Sequence, residues 1–494
     1  MNFTKSMNFI RIRLTLSAIL GFCLLVTAGR NAYAAPSAAE DYLALAEERK
    51  SLPIQSNQIE NWPAGPAIGA ESAILLEANT GVILYAKNID EKLYPASTTK
   101  LMTCLVAAEN SRLDDTVTFS HNAVFSIDKG SSNIGIDEGQ SMPMEECLYG
   151  ILTASANEVA NGVAEHIAGS TDAFTELMNQ KAEELGCTNT HFVNAHGLYD
   201  QNHYTTAYDL ALIAKAFFQN ELLSKIGNTA SHHFEATATQ PDDFIVRNKH
   251  QLITGEIPYE GIKGGKTGYT DEARQTLVTC AEQDGMKLIC VIMKEESPEQ
   301  FYDTVKLFDY GFTNFSVVNV SENETKYAIQ NSNFFHTSSD VFGDSSPILS
   351  INKNSYLIMP GTTSFKELDS EISYDTDDAH EVANICYYYH GAYLGTATID
   401  LVQKAPVSYE FSTESEAAGD KRIVVINVKL ILLIILAIAI FLITVFVIFS
   451  FVNSYNIIDH KATGKKRSIT GRRRKRNRKD GPHFPSSRFN GFDL

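Results

Sequence analysis

Residues 430–452 (LILLIILAIAIFLITVFVIFSFV) run for 23 positions without a charged side chain. No other feature restricts the fold as much, because a helix of that length rises about 35 Å and spans a hydrocarbon core needing roughly 20 apolar residues. A helix buried in a soluble core would show a polar face, and this one shows none. Lys465, Lys466, Arg467 and the run from Arg472 to Lys479 follow it, so by the positive-inside rule that flank is cytoplasmic. The other end reads as a secretory signal: Lys5, Arg11 and Arg13, an apolar stretch over 14–27, and Ala32-Tyr33-Ala34 as a cleavage site. Together they predict a single-pass cell-membrane protein whose body is extracytoplasmic and whose C-terminus is cytoplasmic.

The formal net charge of −18 conceals this partition. Residues 1–34 carry +4 and residues 453–494 carry +9; with both removed from the −18 total, −31 remains on residues 35–452. A body that acidic argues against nucleic-acid binding, and the basic tail beside a membrane fixes topology or meets anionic lipid. Beyond Cys23 in the signal, the cysteines are Cys104, Cys147, Cys187, Cys280, Cys290 and Cys386. An Asp284-Gly285 hairpin turn would set Cys280 opposite Ile289, which sends the sulfurs of Cys280 and Cys290 to opposite faces. Buried free thiols are therefore expected. With no C-x-x-C and no H-E-x-x-H spacing, neither a metal nor another cofactor is expected.

Along the body, residues 35–66 read as a leader: an Ala/Glu-rich helical piece, then a link through Trp62-Pro63. Folding proper is expected to begin at Ala73, in a hairpin turned by Asn79-Thr80-Gly81. Helices follow to about residue 220, among them one carrying Val159, Val163 and Ile167, one over 172–185, and one carrying Leu210, Ile213 and Phe217. Strands are predicted over 265–270, 275–281 and 287–293, then a helix capped by Ser297-Pro298 and ended by Gly311. Short strands and turns fill 319–403, and 404–429 is a stalk. The plan is α+β, an antiparallel sheet with a helical cluster, with boundaries at 1–34, 35–66, 67–318, 319–403, 404–429, 430–452 and 453–494.

Ser-x-x-Lys on a helix brings an amine to a hydroxyl, because residues three apart share a face. The pattern occurs at Ser97/Lys100, Ser126/Lys129 and Ser350/Lys353. Only the first follows a turn (Tyr94-Pro95-Ala96) and leads into an apolar helix, which places the serine where free N–H groups favour a developing oxyanion. Alone, Ser97 reads first as a plain helix cap. Two further motifs shift that balance: Ser155-Ala156-Asn157 before the Val159 helix, and a single Lys266-Thr267-Gly268 in a strand. Ser-x-x-Lys, Ser-x-Asn and Lys-Thr-Gly in this order are the set of penicillin-binding proteins and class A β-lactamases.

From about Trp62 to Leu401 the chain resembles the low-molecular-mass penicillin-binding proteins, the serine-type D-alanyl-D-alanine carboxypeptidases of bacterial cell walls. The resemblance rests on residues 94–100, on Asn189-Thr190-His191-Phe192 with His196-Gly197-Leu198, and on residues 264–270. It departs at Ala156, where glycine is common; a methyl group there is expected to narrow the site. The implied fold is a penicillin-recognising, β-lactamase-like α+β domain followed by a small all-β domain, here with one C-terminal transmembrane helix.

The implied chemistry makes Ser97 the nucleophile on a D-Ala-D-Ala peptide bond and Lys100 its base. Ser155 and Asn157 would pass the proton on and orient the acyl chain. Lys266 and Thr267 would hold the terminal carboxylate and bond Ser155, while Gly268 lets substrate lie close to the strand. The N–H groups of Ser97 and Tyr269 would form the oxyanion hole. Arg247 is either a second carboxylate contact or a surface charge. His166, His191, His196, His232, His233 and His250 are expected to be structural. The implied partners are peptidoglycan stem peptides ending in D-Ala-D-Ala, β-lactams as covalent inhibitors, and the membrane. Competing readings are a class A-like β-lactamase, which would need a Glu-x-x-Leu-Asn segment absent between Ser155 and Lys266, a DD-endopeptidase or transpeptidase, and an inactive wall-binding protein.

Overall fold

The computed structural model describes residues 38–327, 349–376, 380–401 and 442–449. The chain divides into two units, residues 1–405 and 406–494. In the second, residues 442–449 are helical. No helix among the described residues is long and apolar enough to cross a membrane. The expected signal at 1–34, stalk, basic tail, and most of the expected span at 430–452 lie outside the described residues.

In the first unit, helix α1 (Ala38–Arg49) leads to strands β1 (Ser72–Glu77) and β2 (Ile83–Lys87). A helical cluster follows, built on α2 (Lys100–Asn110), α3 (Asn157–Ala168), α4 (Thr171–Glu184), α5 (Ala207–Gln219) and α6 (Glu221–Gly227). Short two-stranded pairs, β3 (Thr116–Thr118) with β4 (Ser141–Pro143) and β5 (Ser231–Phe234) with β6 (Phe244–Arg247), edge that cluster. The chain then returns to the main sheet as β7 (Ile262–Thr270), β8 (Arg274–Gln283) and β9 (Met286–Glu295) and crosses its back as α7 (Glu299–Asn314).

The sheet runs β2-β1-β9-β8-β7, with every pair antiparallel and β7 at one edge. The period of two explains its two cores. On β9, Ile289, Val291 and Met293 face the helical cluster, while Leu288, Cys290 and Ile292 face α7. A sheet covered on both faces reads as a nearly continuous apolar run, which is why the strand centres were visible in the sequence. Asp284 (φ 48) and Gly285 (φ 79) make the two-residue turn, and Cys280 pairs with Ile289 while Cys290 pairs with Thr279. The two sulfurs thus enter different cores. All six described cysteines are free thiols, with only Cys386 partly exposed.

Three expectations need correction. Folding does not begin at Ala73: Trp62, Ile68 and Ala70 are buried in the α7-side core, and Arg49 is buried at the end of α1. Nor does Gly311 end α7, which continues to Asn314; a Cβ there would sit 2.7 Å from Leu288 Cδ1 and from Leu75 Cδ2, so the glycine permits close helix–sheet packing. Ser297-Pro298 supplies no side-chain cap to that helix.

Beyond α7, β10 (Phe315–Asn319) pairs with β12 (Tyr356–Pro360), and β11 (Leu349–Ile351), β13 (Asp369–Ser373), β14 (Glu381–Tyr389) and β15 (Ala392–Leu401) form a sheet in the order β11-β15-β14-β13. Leu357, Ile385, Tyr387 and Leu394 from these strands share one apolar core with Trp62 and Phe308.

Candidate active site

The nucleophile candidate sits where α2 begins. Ala96–Thr99 form a tight helical turn, and Ala96 has φ 49, a left-handed conformation costly for a residue with a Cβ. Ser155 is left-handed too (φ 64), closing a π-helical turn over Gly150–Ala154 before α3 starts at Asn157. Such conformations cost about 1–3 kcal/mol each and persist only where surrounding contacts dictate them, so two flanking one cleft mark a shaped site.

Lys100 joins the two turns. Its Nζ lies 3.0 Å from Ser97 Oγ, 2.6 Å from Asn157 Oδ1 and 2.6 Å from the His196 carbonyl. A neutral amine has two N–H donors and one lone pair. With the two carbonyl-type oxygens taking the donors, the lone pair is left for the Ser97 hydroxyl. Burial, and after it the charge of Lys266, holds the Lys100 pKa well below its usual range. That favours the neutral form this geometry requires.

β7 closes the third side. A Cβ on Gly268 would lie 2.2 Å from Thr276 Oγ1, 2.9 Å from Ser97 N and 3.0 Å from the Pro95 carbonyl. Gly268 therefore lets the serine turn itself lie against the strand; the sequence reading had reserved that closeness for substrate. Thr276 Oγ1 donates to the Pro95 carbonyl at 2.9 Å and fixes the approach. Lys266 is 2% exposed, and burial together with nearby Lys249 lowers its pKa to about 7. Its Nζ donates to its neighbour's carbonyl, Thr267 O, at 2.9 Å, and the buried Ser155 Oγ has no hydrogen-bond partner. The expected Lys266–Ser155 bond is thus not formed.

The D-alanyl-D-alanine carboxypeptidase family model, peptidase S11, matches residues 59–297. The chain is 32% identical to D-alanyl-D-alanine carboxypeptidase DacA of Escherichia coli (strain K12), over 60% of its own length and 72% of that protein. This chain belongs to the D-alanyl-D-alanine carboxypeptidase family. It is also 36% identical to DacF of Bacillus subtilis (strain 168), over 50% of this chain, and there it spans 63% of the relative's length. In fold it is similar to penicillin binding protein 5 from Haemophilus influenzae, with a TM-score of 0.55 at 24% identity, covering 69% of this chain and 98% of that one.

Within this carboxypeptidase fold the remaining expected residues separate clearly. Ser97, Lys100, Ser155, Asn157, Lys266, Thr267, Gly268 and Tyr269 come from three chain segments, brought together by the Lys100 amine and by the approach of Gly268 to the serine turn. Arg247 does not join the buried cluster: its side chain is 62% exposed and pairs with Glu256 at 2.8 Å. The Ala156 methyl does not narrow the site either, because Ala156 is wholly buried in the helical core. The histidines have structural partners: His232 bonds Glu146 and stacks on Tyr149, His233 bonds Asp243, and buried His250 meets Thr279 Oγ1 at 2.9 Å. His196 contributes its carbonyl, while burial pushes its imidazole pKa down to about 3.

Sequence reasoning missed Lys249, Glu158 and His203. Lys249 Nζ donates to Ser132 Oγ at 2.9 Å, beside a cleft of about 400 Å³ that Ile134, Ala154, Phe244, Val246 and Arg247 also line. Buried Glu158 accepts from the N–H groups of Ile134 (2.6 Å) and Gly135 (3.2 Å), and Asn157 N donates to Ser132 O, so the 132–135 loop is tied to α3. His203 Nε2 meets Thr99 Oγ1 at 2.8 Å beneath the serine turn. The one available signal was Glu158 directly after Asn157, a carboxylate on an apolar helix start.

Proposed function

We propose that this chain cleaves the terminal D-alanine from peptidoglycan stem peptides ending in D-Ala-D-Ala, through an acyl-enzyme on Ser97, and that penicillin acylates the same serine. The observation that carries this reading is the Lys100 amine, held by Asn157 Oδ1 and the His196 carbonyl with Ser97 Oγ 3.0 Å away. Ser97 Oγ attacks the penultimate D-alanine carbonyl while Lys100 accepts its proton. The oxyanion is met by the backbone N–H groups of Ser97 and Tyr269, each donor worth about 3 kcal/mol in the transition state. The proton reaches the leaving amine through Ser155, and water then releases the shortened peptide. The terminal carboxylate is read by Lys266 and Thr267, with Lys249 supplying further positive charge.

The same proposal places the enzyme at the cell membrane, exported by residues 1–34 and anchored by 430–452, with 319–403 as a β-rich spacer domain between catalytic domain and stalk. The charge-free 23-residue run and the basic segment after it support this arrangement. Purified protein incubated with a D-Ala-D-Ala-terminated pentapeptide should release one D-alanine and bind fluorescent penicillin covalently, and Ser97→Ala should do neither. Retained D-alanine release in Ser97→Ala would overturn the assignment. Recovery of the full chain in the soluble fraction would overturn the anchor.

A further inference from the structure

The sequence assigns residues 35–66 no more than a leader's role, yet α1 makes specific contacts beside the active-site strand. The ring of Tyr42 lies under the Arg274 guanidinium, 3.7 Å from its carbon. That guanidinium forks onto Glu296 at the end of β9, with Nε 3.2 Å from Oε1 and Nη2 2.7 Å from Oε2. Glu296 is 5% exposed and also receives Arg49 Nη2 at 3.4 Å, while Arg49 Nε donates to the Gly69 carbonyl at 2.8 Å. Both ends of the contact are therefore anchored in buried structure.

The third arm of the same guanidinium points towards the chemistry. Arg274 Nη1 donates to Tyr269 Oη at 3.3 Å, and Tyr269 Oη donates to Asp271 at 2.8 Å. Tyr269 is the residue whose backbone N–H faces the developing oxyanion in the mechanism above. Arg274 pairs with Thr270 as the last rung between β7 and β8, and it does so at φ 52, a left-handed conformation unfavourable for arginine. Among the described residues β7 is an edge strand with no partner strand beyond it. Its far end is therefore held by the β8 ladder, by the serine turn, and by this side chain.

We propose that Arg274 is a positioning residue for the oxyanion hole, and that α1, through Tyr42 and Arg49, holds Arg274 in place. The inference rests on the serine acyl-transfer reading. A guanidinium is required because one planar group must stack on Tyr42, fork onto Glu296 and reach Tyr269 at once. A lysine ammonium at the same place keeps the charge and loses the fork and the stacking plane.

The test uses the full chain with Arg274→Lys, Tyr42→Ala and the double variant. Three quantities are followed: the first-order rate of penicillin acylation, the affinity of the complex preceding it, and the melting temperature. Deleting a whole oxyanion donor costs about 10²–10³-fold, so a misaimed one should cost about tenfold. Arg274→Lys is expected to acylate about tenfold more slowly with pre-covalent affinity within about twofold. Tyr42→Ala, a partly exposed position whose loss leaves the core intact, should move the same way by less. The double variant should be no slower than Arg274→Lys, because the two act in series. Wild-type acylation in Arg274→Lys, or a change confined to affinity or melting temperature, would overturn the proposal. Absence of any adduct in the wild-type protein would instead overturn the serine reading.

Discussion

Gly197→Ala adds one methyl group and should disable the site from outside the three motifs. Gly197 has φ 84, and a Cβ built on it would lie 1.9 Å from the Ala96 carbonyl oxygen, 2.5 Å from its carbon and 2.8 Å from Thr99 Oγ1. These atoms belong to the turn carrying Ser97, so relief needs backbone to part from backbone by about 1.5 Å to restore ordinary contact. A left-handed alanine costs about 1–2 kcal/mol more. On the moving side, the preceding carbonyl, His196 O, takes the Lys100 N–H at 2.6 Å. Whichever strand of the contact yields, Ser97 or Lys100 is displaced. A misplacement of about 1 Å at a reacting group costs about 10²-fold in rate, equivalent to about 2.7 kcal/mol. The assay is D-alanine release and penicillin acylation on the same preparation, with the melting temperature as the folding control. The expected result is a kcat/KM about 10²-fold lower with a cooperative melt retained a few degrees down. A variant within about threefold of wild type would refute the claim that this contact sets the Ser97–Lys100 geometry.

Three other outcomes follow from the charges. Because burial lowers the Lys266 pKa to about 7, the unfolded chain holds a proton between about pH 7 and 10 that the folded chain lacks. Stability from this group is therefore full above the unfolded pKa and lost as pH falls through the folded one, with a slope of about 1.4 kcal/mol per pH unit in between. Denaturant midpoints from pH 7 to 9 should show that slope in wild type and a shallower one in Lys266→Met; parallel profiles would contradict it. A substrate ending in a carboxamide should lose at least about 10²-fold in kcat/KM, since a neutral terminus offers the Lys266 amine no anion to pair with, and a loss below about threefold would remove Lys266 from carboxylate recognition. Arg247→Ala, at an exposed ion pair, should leave stability within about 0.5 kcal/mol and KM unchanged, whereas Lys249→Ala should raise KM; the reverse pattern would restore Arg247 as the contact.

Much of the site was readable because its residues are bound to local structure. Ser97 and Lys100 are three apart at a helix start, Ser155 and Asn157 bracket another, and Lys266 to Tyr269 lie along one strand. Each segment carries its own turn or strand signal. What the sequence could not supply were contacts made across the fold. The His196 carbonyl, Lys249 on Ser132 and His203 beneath Thr99 meet their partners across 96, 117 and 104 residues of chain, with backbone or single side chains that leave no pattern. Arg247 and Lys249 show the limit well. Both are cations at or just past the end of β6 and both line the same cleft; their partners separate them, Glu256 for Arg247 and Ser132 Oγ for Lys249. Gly311 was misread for a related reason: a glycine in a helical pattern signals an end locally, but here it answers to Leu75 and Leu288 on the sheet. The apolar run at 430–452 remains the clearest feature of the sequence, and it bears on where the enzyme is held, whereas the cleft alone bears on what it does.

The three lysines around the cleft also explain how an acidic body can act on an anionic peptide. Fields from exposed carboxylates are screened over about 8–10 Å at ordinary ionic strength, so a net charge of −31 over residues 35–452 says little about the cleft floor. There the governing groups are the amines of Lys100, Lys249 and Lys266, with Lys249 depressing the pKa of Lys266 and Lys266 that of Lys100. A carboxylate arriving beside Lys266 favours its charged form. The charge so fixed on Lys266 lowers the proton affinity of Lys100 further. Substrate binding and activation of the base are thereby one electrostatic event: the group that identifies a peptide terminus also helps strip the proton from the amine that must take one from Ser97. A neutral terminus would fill the same cleft without that second effect, which is why its loss should appear in the acylation rate and not in affinity alone.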